Sequence, residues 1–156
     1  MTDSDQSNGT SDLQGIPYRI HLSRMREASG LGPDALARQA GLSIQRYSDL
    51  ENCDGDLTAA ISLGELGKLS KALGIDPICI FGSIDGGSER LSYADLIGKI
   101  KSHITERRLR IDDFEKKIGY SVESALSDPS SITTWNLDCL RAVCVEVGLD
   151  WHLVLI

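Results

Sequence analysis

Along most of this chain apolar residues recur three or four positions apart, the spacing of helices that bury one face. The clearest case lies between Leu31 and Glu51. There Leu36, Ala37 and Ala40 line one face, and Tyr47 and Leu50 turn inward three residues apart. Gly32 or Pro33 opens the first of two short helices, since proline's missing N–H costs nothing at the first helical position. Gly41 falls where a left-handed residue stops a helix, and Ser43 can cap the next one. Small Ala37 allows the two helices to cross closely. The pattern predicts a helix-turn-helix.

The same reading extends outward. A first helix is expected from about Pro17 to Ser29, with Ile20 or His21, Leu22 and Met25 facing inward and Arg19, Arg24 and Arg26 partly outward. An open loop rich in Asp and Gly is expected from Asn52 to Thr58. Ala59–Leu73 then reads as a helix through Leu63, Leu66, Leu69 and Leu73, closed by Gly74. Asp76 caps and Pro77 opens a last short helix, whose Ile78 and Phe81 close the core. Gly82–Ser88 has the composition of a linker. The organisation expected is therefore a disordered acidic tail over 1–15, a domain over 16–82, a linker over 83–90 and a second domain over 91–156.

The second domain repeats the first. Leu109–Ser121 overlays Leu31–Ser43 with a constant shift. Before it, Leu96, Ile100 and His103 match Tyr18, Leu22 and Met25. After it, Leu137, Leu140, Val143, Val147 and Gly148-Leu149-Asp150 match Leu63, Leu66, Leu69, Leu73 and Gly74-Ile75-Asp76, with four residues deleted between. The copy is degenerate. Ile104 stands where Arg26 stood, Pro129 where Glu51 stood, and Glu115 in place of small Ala37, which puts the close helix contact in doubt. Ser127-Asp128-Pro129 cuts short the second helix of the pair, because a residue before proline is pushed out of helical angles. Such a half suits packing, dimerisation or partner binding.

The residues Arg26, Gly30-Leu31, Leu36-Ala37, Gly41-Leu42-Ser43 and Leu50-Glu51-Asn52 resemble the Cro/cI-type (XRE) helix-turn-helix domain of phage repressors and bacterial regulators, from about Tyr18 to Gly82. The resemblance implies an all-α fold: a lambda repressor-like five-helix bundle, followed here by its degenerate copy. It implies a sequence-specific transcriptional regulator that places the helix near Ser43–Asn52 in the major groove of double-stranded DNA, as a homodimer on a two-fold-related site. It also implies a structural ion pair between Arg26 and Glu51. On such a helix the groove-facing side chains are Ser43, Ile44, Gln45, Ser48 and Asp49. Gln45 can contact adenine and Ile44 a thymine methyl, while Asn52 can hold a phosphate. Asp49 opposes this use, since it faces phosphate with no cation beside it.

Charge sharpens that tension. The 156 residues carry 16 Lys and Arg against 23 Asp and Glu, a net charge of −7. Residues 15–85 hold seven basic against nine acidic side chains, and residues 86–156 nine against 11. A nucleic-acid binder ordinarily shows a basic footprint. An acidic balance fits an alternative: a protein-interaction module of antiactivator, antirepressor or antitoxin-like kind that keeps the repressor fold without binding DNA. Its partner could be reached through the second domain. Arg107-Arg108-Leu109-Arg110, the densest basic run, reads as a solvated helix end. Cys53, Cys79, Cys139 and Cys144 have no metal spacing, three of them sit among apolar residues, and the three histidines are scattered. No catalytic arrangement or phosphate loop is present, so neither an enzyme nor a cofactor is expected. No apolar run approaches the ~20 residues of a membrane span, and a cytoplasmic protein is expected.

Overall fold

A computed structural model describes residues 16–82 and 90–154. The tail expected over 1–15 and nearly all of the linker expected over 83–90 lie outside the described residues. Among the described residues every regular element is helical, so the chain is all-α. The first half runs α1 (Tyr18–Ala28), α2 (Pro33–Gln39), α3 (Ile44–Asn52), a π-helical turn at Asp56–Ala60, α4 (Leu63–Leu73) and a 3-10 turn at Pro77–Phe81. The second half runs α5 (Tyr93–Glu106), α6 (Ile111–Ile118), α7 (Glu123–Ser127), a 3-10 turn at Pro129–Thr134, α8 (Leu137–Val147) and a 3-10 turn at Trp151–Leu153. One order of elements thus occurs twice.

Local chemistry sets most of the boundaries. Pro33 occupies the first position of α2, and Ser43 caps α3 by accepting from the Arg46 N–H at 3.1 Å. Gly74 and Gly148 end α4 and α8 in the left-handed region, at φ +68° and +76°. Asp76 and Asp150 each cap the short turn that follows. Two expectations need correction. The helix expected from Ala59 begins instead at Leu63, because Ser62 caps it: its hydroxyl accepts from the Glu65 N–H, and Glu65 reaches back to the Ser62 N–H. The segment expected to be an open loop, Asn52–Thr58, is largely helical. Its π turn buries Leu57 completely, and a buried aliphatic anchors a loop as firmly as a helix face does.

Backbone strain shows how closely the halves correspond. Positive φ occurs at Gly30, Gly41, Gly74 and Gly82 in the first half and at Arg108, Gly119 and Gly148 in the second, the latter three at the places that match the first three; the place that matches Gly82 lies outside the described residues. Arg108, at φ +51°, adopts there a conformation that side chains ordinarily avoid. Glu115 is resolved too. Its carboxylate accepts from the Val122 N–H at 2.8 Å, so the side chain that replaces Ala37 serves the turn between α6 and α7.

The two halves pack on each other, and their buried residues form one continuous cluster. The start of α4 lies against the Pro129–Thr134 turn, and α8 lies against the Asp56–Ala60 turn. At this seam the Leu63 N–H donates to the Trp135 carbonyl at 2.7 Å, and the Asn136 amide donates to the Ala59 carbonyl at 2.9 Å. Further along, the Arg141 guanidinium lies over the rings of Tyr18 and Trp151, 5.7 and 5.0 Å from their centres, and donates to the Tyr18 hydroxyl. Phe81 meets Tyr18 and Trp151 edge to face, and Arg90 pairs with Asp76.

Candidate functional site

The outer face of α3 is built from the inside. Tyr47 and Leu50 anchor the helix in the core, at 0% and 1% exposure. Arg26 of α1 then clamps its far end. The guanidinium donates to Glu51 through Nε at 2.5 Å, and through Nη1 to the Leu31 carbonyl at 3.1 Å. Both partners are largely buried, and the hydrogen bond to Glu51 raises the guanidinium pKa against the opposing effect of burial. The sequence reading missed a third member. The Tyr47 hydroxyl donates to the same Glu51 oxygen at 2.6 Å, and burial, with the carboxylate beside it, pushes the phenol pKa strongly up. The signal was present in the i, i+4 spacing of Tyr47 and Glu51.

Held in this way, α3 turns its other face to solvent. Ser43, Ile44, Gln45, Asp49 and Asn52 are exposed, and Ser48 is half-buried. Ile44 is the outlier, with 56% of its surface in water. The polar members are not idle. The Ser43 hydroxyl is committed to capping. Gln45 donates its amide to Asp49 at 3.0 Å, and Asn52 donates to the carbonyl and hydroxyl of Ser48 at 2.8 and 3.3 Å. These pairs run along the helix one turn apart, so the face is a ladder of internally satisfied groups. Arg46, the basic residue on α3 itself, reaches away to Glu65 at 2.8 Å and to the Ala60 carbonyl. Glu65 therefore caps α4 and neutralises the nearest cation together.

The corresponding stretch of the second half has no such face. Val122, in the place of Ile44, is 1% exposed, and α7 is five residues long against nine for α3. Ala125 replaces Tyr47, Pro129 replaces Glu51 and Ile104 replaces Arg26, so no clamp joins α5 to α7. A different cluster appears there. His103 Nε2 lies 3.4 Å from a Glu146 oxygen that Lys117 approaches at 3.3 Å. Burial raises the Glu146 pKa, but Lys117 and His103 outweigh it and the net shift is downward. Cys139 and Cys144 are buried in the core, where desolvation pushes each thiol up to about 12.

Among the described residues no group of three or more His, Cys, Asp or Glu is placed to hold a metal ion, and no helix is long and apolar enough to cross a membrane. Set against known proteins, the chain matches no family model, no curated protein and no solved structure.

Proposed function

We propose that the chain is a DNA-binding transcriptional regulator of Cro/cI type, a tandem of two lambda repressor-like units in which the first reads the major groove through α3. One observation carries this reading. α3 is fixed from behind by Tyr47, Leu50 and the Arg26–Glu51 clamp, yet it leaves Ile44 more than half exposed beside Gln45 at its start. Full burial of an isoleucine side chain is worth about 1.5–3 kcal/mol, so a partner that covers Ile44 recovers part of it and gives the residue a use. Contact with a thymine methyl is such a use. Matching positive-φ positions and the doubled order of elements support duplication of one unit. In this proposal the protein works in the cytoplasm, without a cofactor and without catalysis.

The bond between Gln45 and Asp49 favours a second reading, in which α3 presents an acidic face to a protein partner. Binding of the full chain to random duplex DNA at low salt, repeated over a salt series, separates the two. Affinity that falls steeply with salt means that phosphates are being neutralised. Asp49→Ala should then tighten binding, by removing a repelled carboxylate and freeing the Gln45 amide. No binding at low salt, for the natural chain or for Asp49→Ala, defeats the DNA reading.

A further inference from the structure

We propose that this chain is its own dimer: the second half is the built-in two-fold partner of the first, and one chain meets one DNA half-site through a single α3. The homodimer expected from the sequence is thereby replaced. The evidence is the reciprocity of the seam. In a two-fold interface the same patch is used from both sides, so that if element i of one copy touches j of the other, then j of the first touches i of the second. Here α4 packs on the Pro129–Thr134 turn, while α8, its counterpart, packs on the Asp56–Ala60 turn, the counterpart of that turn. Each turn buries a single aliphatic side chain, Leu57 in one and Ile132 in the other, both at 0% exposure. Two polar links cross these same contacts without being images of one another, one from a backbone N–H and one from a side chain. The N-terminus of α4 donates to the residue just before the α8 cap, and the α8 cap itself, Asn136, donates to the end of the first π turn.

Close packing at this seam leaves no room for a second copy. A Cβ on Gly64, in the first turn of α4, would stand 3.3 Å from the Thr133 carbonyl. Beyond the two-fold centre, Arg141 stacks over Trp151 and Tyr18 and donates to the Tyr18 hydroxyl, contacts that have no mirror image because Gly67 stands where Arg141 does in the other half. A symmetric pair of chains could not make them. They mark a pairing specialised for one chain. The other half of the pair also offers no second reading helix, since α7 is five residues long and buries Val122.

The pairing and the DNA stoichiometry are tested separately. The pairing does not depend on the function proposed above, whereas the half-site does. Sedimentation equilibrium of the full chain over a wide concentration range should give one species of 17.0 kDa; a reversible species of twice that mass overturns the proposal. Gly64→Phe should part the halves, seen as a larger radius of gyration by small-angle scattering with helix content unchanged. Arg141→Ala, which removes the stacked guanidinium with its bond to the Tyr18 hydroxyl and its pairing with Asp138, is the milder companion and should loosen the seam in the same direction. Folded variants of unchanged radius overturn the pairing. On random duplexes of two turns (~21 bp), chains should add independently; cooperative addition of chains in pairs overturns the half-site. A monomer that binds no DNA at low salt supports the pairing and rejects the function proposed above.

Discussion

α3 and α7 occupy matching places in the two halves and have opposite fates. α3 is nine residues long, clamped by Arg26, Tyr47 and Glu51, and shows Ile44 to water. α7 is five residues long, has Ile104, Ala125 and Pro129 at those three places, and hides Val122. Length and exposure change together for one reason. In α3 the polar clamp behind the helix adds to its buried face in fixing its angle. Once Pro129 replaces Glu51, the chain turns early, and the short helix sinks against α5 and the following 3-10 turn. The difference teaches that an exposed helix face of this kind is a property of its support.

Reciprocal substitutions probe that contrast. The largest effect should come from Ala37→Glu. Its site is 0% exposed, and a carboxylate put there displaces the close contact of α2 with the core, so the loss should exceed about 4 kcal/mol and unfold the first half in urea titrations. Next comes Glu51→Ala, which strands the largely buried Arg26. With 13% and 17% of the two side chains exposed, the cost belongs near the lower end of the buried-pair range, about 3 kcal/mol. A cost below about 1 kcal/mol would mean that the clamp does not support α3. Glu115→Ala should be milder, about 1–2 kcal/mol, because it leaves the Val122 N–H unanswered. Smallest, and opposite in sign, Arg108→Gly should raise stability by about 1 kcal/mol through relief of a left-handed backbone. Thermal unfolding of the pair Arg108→Gly and Gly30→Arg should then show shifts of opposite sign.

What was legible in the sequence was local. Pro33, Gly41, Ser43, Gly74 and Asp76-Pro77 each act through their own backbone and stand where their chemistry requires. Leu63, Leu66, Leu69 and Leu73 point inward because helical spacing leaves them no alternative. The start of α4 differs from expectation although Ser62 and Glu65 carry the capping-box spacing, since Ala59 and Ala60 before them also favour helix. The site was half legible. Positions on α3 follow from its cap, but the Gln45–Asp49 bond and the turning away of Arg46 to Glu65 depend on rotamers and on a neighbour nineteen residues away. The seam was hidden altogether. Trp135 and Arg141 carry no local signal, Asn136 signals only the cap of α8, and their partners across the seam lie more than seventy residues distant.

Both tryptophans of the chain, Trp135 and Trp151, lie along the seam. Intrinsic indole emission is therefore first of all a gauge of this joint. Heating or mild denaturant that parts the halves should redden the fluorescence while the far-ultraviolet dichroism still reports intact helices. An apparent unfolding curve followed by emission alone would record a hinge coming apart, and its midpoint would describe the joint before either half.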